Sequence, residues 1–258
     1  MADWPLLRNS LAVEDDAALA SYGATVTAGS ANTKGSYTQI VASLARSCSG
    51  ILLQMFVATQ VSMLMDIAIG GAGSEIVVIP NLSVSAVGST NVSGSLFIPL
   101  YLPAGTRVAV RCQASTGSAT VRVKSVFITD TFIGLQQLAS RYENWGAVAA
   151  TSRGTLVTAS GSVDTKGAWT QLIAASAFTT KWLLIGLQPD FNRNYAVDIG
   201  VGGAGAEQVV IPNLDPINIS LGTCISLPFS IPGGSRVSAR AAANVGSITI
   251  PVDILGGA

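Results

Sequence analysis

The chain has no histidine. That absence removes Ser-His-Asp and Cys-His catalysis and every histidine-based metal site. Charge is also scarce. Fourteen basic and 14 acidic residues in 258 make 11% charged and a formal net charge of zero, where an average soluble domain carries about 25%. With no basic excess there is no face to meet a phosphate backbone, so nucleic-acid binding is not expected. Cysteine is limited to positions 48, 112 and 224. These do not fall at equivalent places in the repeat described below, so no disulfide framework is expected and they read as small buried hydrophobes. The first twenty residues carry Asp3, Glu14, Asp15 and Asp16 where a secretory signal would have a basic start and an apolar run, so none is expected. Apolar residues, by contrast, are abundant at 49%, with a mean hydropathy of +0.51. That excludes intrinsic disorder.

One uncharged stretch, Ser47 to Met65 between Arg46 and Asp66, approaches the length of a membrane span. Gln54, Thr59, Gln60 and Ser62 interrupt it. Its counterpart later in the chain, Lys181 to Tyr195, holds Lys181, Pro189, Asp190 and Arg193, which do not fit a lipid-spanning helix. Two buried strands joined by a turn are expected instead, with no membrane span.

That counterpart exists because the chain is a duplication. Asp66-Ile-Ala-Ile-Gly-Gly-Ala-Gly-Ser-Glu-Ile-Val-Val-Ile-Pro-Asn-Leu82 returns as Asp198-Ile-Gly-Val-Gly-Gly-Ala-Gly-Ala-Glu-Gln-Val-Val-Ile-Pro-Asn-Leu214, identical at thirteen of seventeen positions. At the same spacing, Thr33-Lys-Gly-Ser-Tyr-Thr-Gln-Ile40 matches Thr165-Lys-Gly-Ala-Trp-Thr-Gln-Leu172. Further on, Leu102-Pro-Ala-Gly-Thr-Arg-Val108 matches Ile231-Pro-Gly-Gly-Ser-Arg-Val237. Three collinear matches define a unit of about 110 residues, an ordinary domain size. The expected organisation is an N-terminal arm over 1–22, a first sandwich over 23–130, a linker over 131–150 and a second sandwich over 151–258.

Strand signals are dense in each copy. In the first they fall on Thr25–Ala28, Tyr37–Ser43, Ile51–Ala58, Met63–Ile69, Glu75–Ile79, Ser95–Tyr101, Arg107–Ala114 and Ala119–Ile128. These segments are rich in Val, Ile, Thr and aromatics and are separated by Gly, Ser, Asn or Pro clusters. The expected fold is all-β: two tandem antiparallel β-sandwiches of jelly-roll type, an immunoglobulin-like sandwich being the alternative. Helical periodicity is confined to Ile133–Tyr142, where Leu135, Leu138 and Ala139 share a face, so a short helix is expected in the linker.

Gly200-Val-Gly202-Gly-Ala-Gly205 matches the dinucleotide-binding spacing, but that site needs a helix to follow. Strand-like Glu207-Gln-Val-Val-Ile-Pro212 follows instead, so two strands around a tight glycine turn are expected. Asp66 and Glu75, and equivalently Asp198 and Glu207, flank these turns. Such carboxylates could hold Ca²⁺, form a glycosidase pair, or bind turn amides and arginine. Arg107 and Arg236, and Arg111 and Arg240, stand at matching positions as partners, which favours a structural role. No catalytic residue, metal site or cofactor is expected. Copies differ at Gln188–Tyr195, where Phe191, Arg193 and Tyr195 have the composition of a binding loop, suited also to a sugar.

The motifs Lys-Gly-Ala-Trp-Thr-Gln-Leu (166–172), Val-Asp-Ile-Gly-Val-Gly-Gly-Ala-Gly-Ala-Glu (197–207), Val-Ile-Pro-Asn-Leu (210–214) and Ile-Pro-Gly-Gly-Ser-Arg-Val (231–237) resemble modules of tailed-bacteriophage and prophage structural proteins. The resemblance covers both repeats and carries over no catalytic residue. It implies a virion location and a head-appendage, fibre, spike or tail component. Such a chain, rich in apolar residues, is expected to bury surface against neighbours, as a homo-oligomer such as a trimer, and against other virion proteins. The alternative is a carbohydrate-binding module that attaches the particle to a host-surface glycan.

Overall fold

The computed structural model describes residues 23–57, 61–85, 92–128, 138–188, 193–215 and 223–258. Among these there is no helix, and so none long and apolar enough to cross a membrane. The first repeat contains β1 (Ala24–Thr27), β2 (Thr38–Val41), β3 (Gly50–Val57), β4 (Ser62–Ile69), β5 (Ile76–Ser85), β6 (Val92–Ile98), β7 (Val108–Ala114) and β8 (Thr120–Ile128). β9 (Tyr142–Trp145) leads into the second repeat. There follow β10 (Thr155–Thr158), β11 (Thr170–Ile173), β12 (Trp182–Leu187), β13 (Tyr195–Val201), β14 (Gln208–Leu214), β15 (Thr223–Leu227), β16 (Val237–Ala243) and β17 (Thr249–Gly257).

The strand orders decide the architecture. In the first repeat they are β1-β8-β3-β6 and β2-β7-β4-β5; in the second, β10-β17-β12-β15 and β11-β16-β13-β14, every pairing antiparallel. Two four-stranded sheets wound in this order are the jelly roll, present twice with the same topology. The immunoglobulin-like alternative is set aside by these orders.

Each core lies between its two sheets. Alternation places Val121 and Val123 inward and Arg122 and Lys124 outward on β8, as a pleated strand requires. β4 does not alternate: its Met63–Ala68 run is buried on both faces. Met63, Met65 and Ile67 enter the first core, while Leu64 on the opposite face packs on Ala147 and Ala150. The uncharged stretch is therefore two strands in different sheets, β3 and β4, each needing apolar residues for its own reason.

Three expectations need correction. β5 does not stop at Ile79. It continues through Pro80 and Asn81, which sit in a bulge between the pairs Ile67↔Ile79 and Met65↔Leu82. At a bulge the missing proline N–H costs no ladder bond. The linker helix falls largely on residues outside the described ones, but its end is no helix: Tyr142 opens β9, which pairs along β17 beyond β10. Residues three apart on a strand face opposite sides. Trp145 accordingly enters the second core and Tyr142 joins the first, a division no helix face would make. Finally, Cys48 and Cys112 are buried but Cys224 is exposed, and none of the three forms a disulfide.

Candidate functional site

The matched charged residues of the two repeats form the same two clusters, on the outer side of the β2-β7-β4-β5 and β11-β16-β13-β14 sheets. In the first repeat the Thr33–Tyr37 segment enters β2 and brings Lys34 to Asp66 of β4. Lys34 Nζ donates to Asp66 Oδ1 at 2.8 Å and Arg111 Nε to Oδ2 at 2.9 Å. The Asn81 backbone N–H, turned inward by its left-handed conformation (φ 51°), donates to Oδ1 at 2.9 Å. In the second repeat Lys166, Arg240 and the Asn213 N–H (φ 49°) bind Asp198 at 2.7, 2.9 and 2.9 Å. One buried carboxylate thus ties together a crossing segment, two neighbouring strands and the β-bulge.

The second cluster closes the glycine turn. Glu75 accepts from the Gly73 N–H at 2.9 Å and from Arg107 at 3.1 Å, and Arg107 also donates to the Gly70 carbonyl and to Gln39. Glu207, Gly205, Arg236, Gly202 and Gln171 repeat the arrangement. The turn lies in an antiparallel hairpin (Ile69↔Ile76), with Gly70, Gly73, Gly202 and Gly205 at positive φ, a conformation glycine adopts without strain. No helix follows, so the turn has no pyrophosphate-binding helix N-terminus.

For Asp198, Glu75 and Glu207 these environments favour the charged form. Burial works against ionisation of Asp198, but Lys166, the Asn213 N–H and Arg240 outweigh it and hold the carboxyl below its ordinary range. For Glu75 and Glu207 burial is likewise opposed, by hydrogen bonds from the turn amides and from Arg107 or Arg236, and the result is again a lowered value. Burial pulls Lys34 down against the pull of Asp66. A glycosidase acid needs the opposite shift. Asp66 and Glu75 share no hydrogen-bond partner, and among the described residues no three His, Cys, Asp or Glu gather as metal ligands. What this arrangement does chemically is to lock loops onto a sheet.

An aromatic ring stacks on each lock. Tyr37 lies 4.5 Å from the Arg111 guanidinium and Trp169 4.6 Å from that of Arg240. The larger indole fits because β13 has Gly200 beneath it, where the first repeat has Ala68; a Cβ on Gly200 would come within 2.6 Å of the ring. Gly200→Ala is therefore expected to destabilise the protein by about 1–3 kcal/mol. Adding Trp169→Tyr should recover most of that loss, which chemical denaturation of the single and double variants would measure.

The predicted binding loop is not assembled as expected. Phe191 lies outside the described residues. Arg193 is exposed ahead of β13. Tyr195 is buried, packs in the second core, and donates its hydroxyl to the Thr249 carbonyl at 3.3 Å. The inward phase of β13, with Tyr195, Val197 and Ile199 on one face, is what takes it away from solvent.

Sequence reasoning missed a third polar cluster, at the junction between the repeats. Asn144 Nδ2 donates to Asp253 Oδ1 at 2.7 Å and to the Asn81 carbonyl at 3.3 Å; Asn81 Nδ2 donates to the Ala147 carbonyl at 3.0 Å. Gln188 Nε2 donates to Ser83 Oγ. Only its position could have revealed this cluster, since Asn144 and Asp253 belong to no repeated motif.

Burial pushes the Asp253 carboxyl up to about 7 against the Asn144 and Ala147 hydrogen bonds. A raised folded value means stability that is fully present below the unfolded carboxylate value, about 4, and is lost as pH rises to about 7. Asp198, Glu75 and Glu207 act the other way: their stabilisation holds above about 4 and is lost below it. Histidine, the side chain that ordinarily titrates between pH 5 and 8, is absent. The expected result is that stability declines from pH 5 to 7 and then levels, and that Asp253→Asn removes this decline. Denaturation across a pH series checks it.

No family model matches the chain, and no curated protein does. Among solved structures, the chain is similar to the N-terminal CBM22-1–CBM22-2 tandem domain of Xyn10C from Paenibacillus barcinonensis. The identity is 8% over 90% of this chain and 86% of that one, with a TM-score of 0.26. So loose a superposition carries no weight; the jelly-roll assignment stands on the strand orders.

Proposed function

We propose that this protein is a non-enzymatic structural component of a bacteriophage particle, a decoration, fibre or spike element that self-associates and docks on other virion proteins. The observation that carries this reading is the duplicated lock. Both copies keep the same lysine, arginines and carboxylates, and both engage them internally, in ion pairs with nearly inaccessible carboxylates. What has been retained across the duplication supports rigidity and presents no reacting group. The sequence resemblance to tailed-phage structural modules supports the same reading, as does the scarcity of surface charge.

Quantitative mass spectrometry of gradient-purified particles, from cells carrying this gene, is the test. The chain is expected at a fixed ratio to the capsid subunits. Recovery only in the soluble fraction contradicts the proposal.

A further inference from the structure

Part of the joint between the repeats is made by the stretch that leads into the second one. Residues 147–151, between β9 and β10, lie on the outer face of the β2-β7-β4-β5 sheet, beside the β5 bulge. Ala147 and Ala150 pack on Leu64 of β4, which has no exposed surface. The Ala147 carbonyl accepts from Asn81 Nδ2 at 3.0 Å, and the Thr151 N–H donates to Asn32 Oδ1 at 3.1 Å. These receiving positions recur in the second repeat. Asn213 has the bulge, the left-handed backbone and the aspartate anchor of Asn81. Ala196 of β13 takes the place of Leu64, and the carbonyl of each accepts from the matched lysine, Lys166 or Lys34. Asp164 takes the place of Asn32. Both are left-handed (φ 55° and 56°), and their N–H groups donate to the matched carbonyls of Ala243 and Ala114. The second set stands open: Asn213 and Asp164 are exposed and Ala196 is half-buried. Among the described residues, neither the Asn213 amide nor the Asp164 carboxylate has a hydrogen-bond partner.

The first repeat has a lead-in of the same kind. Gly23 and Gly154 stand at one position, just ahead of β1 and β10. Both have positive φ, and a Cβ on either would collide with the equivalent carbonyl of Val123 or Val252. Counted back from these glycines, Leu19 stands where Ala150 stands, Ala20 where Thr151 stands and Asp16 where Ala147 stands. The central pair is thereby exchanged in size. Inside the chain a leucine of the sheet, Leu64, meets an alanine of the lead-in. On the second repeat an alanine of the sheet, Ala196, awaits a leucine of the lead-in. Such an exchange keeps the packed volume, the kind of change that packing tolerates best.

We propose that residues 16–20 of a second copy dock on the outer face of the β11-β16-β13-β14 sheet, beside the β14 bulge, with Leu19 over Ala196. This proposal rests on the assembly reading above. The occupant comes from another copy because, within one chain, the second repeat already sits behind the first, at the β5 bulge. A second repeat placed ahead of Gly23 belongs to a different molecule. In this docking the Asp164 carboxylate accepts from the Ala20 N–H, as Asn32 does from Thr151, and Asn213 Nδ2 donates to the Asp16 carbonyl, as Asn81 does to Ala147. The bond from Gln113 Nε2 to the Val148 carbonyl has no counterpart, since Ala242 stands in place of Gln113. The contact is heterologous, so its rotation decides whether copies close into a ring or extend.

Sedimentation velocity of the full chain, of Leu19→Ala, of Ala196→Leu and of the double variant tests it, with melting curves to confirm folding. Wild type is expected to associate with rising concentration. Leu19→Ala, which alters neither sandwich, leaves a gap over Ala196, and Ala196→Leu collides with Leu19. Each is expected to weaken association roughly tenfold or more. The double variant rebuilds between copies the pair that Leu64 and Ala150 form inside the chain. It should return association to within about threefold of wild type. If both single variants associate as wild type does, the docking is wrong while self-assembly stands. If the double variant associates no better than the single ones, the docking is again wrong. If wild type is monomeric throughout, the assembly reading fails and takes the docking with it.

Discussion

Replacing Asp198 by alanine is expected to destabilise the second repeat by about 3 kcal/mol, the lower end of the cost of removing one partner from a buried ion pair. The low end applies because Arg240 retains 31% side-chain exposure and Lys166 21%, so water recovers part of their charge. The loss has three sources: two cations without a counter-ion, and the Asn213 N–H left unbonded at the bulge. Asp198→Asn should cost less, since an amide oxygen still accepts from that N–H. The stabilisation from Asp198 is lost at low pH anyway, so the difference between wild type and Asp198→Ala should shrink as pH falls below about 4. Asp66→Ala should show the same loss in the first repeat. Equal losses at the two sites, read by urea denaturation, are what a duplicated structural lock predicts; a ligand-binding role at one copy predicts unequal ones.

Trp145→Ala is expected to cost about 3–5 kcal/mol, the range for emptying a large aromatic site in a core. Trp145 is fully buried, opposite Ile254 on β17, and its ring lies over Gly256, where a Cβ would approach to 2.6 Å. Gly256→Ala should therefore harm the same site from the other side, by overpacking. Because β9 precedes the second sandwich yet completes its sheet, the damage should localise there. Hydrogen exchange in Trp145→Ala should speed up along β12 and β17 and leave β3 and β8 protected.

Much of this architecture is legible in the residues. The eight strands per copy follow from β-branched runs cut by Gly, Ser, Asn and Pro, and the duplication fixes equivalences that a single copy would leave open. It also exposes Arg107, Arg111, Arg236 and Arg240 as carboxylate partners through their matched positions. Lys34 and Lys166 carried the same signal but come from a loop distant in sequence, and only the crossing of that loop over β4 or β13 makes them ligands of the aspartates. β9 was hidden because Leu135, Leu138 and Ala139 suggest a helical face, whereas burial of Tyr142 and Trp145 on opposite sides requires a strand. Tyr195 looked like a surface aromatic because its neighbours Asn192, Arg193 and Asn194 are polar; the inward phase of β13 decides otherwise. The Asp253 junction has no sequence signature at all, since it is formed by three segments that meet only in the tandem.

The proposed role is assembly, by two jelly rolls whose retained charges are engaged in ion pairs within the chain. Sedimentation velocity of the full chain across the micromolar range tests that most directly. Mass that grows with concentration through discrete oligomers is the predicted result. A single monomeric species at every concentration would contradict it.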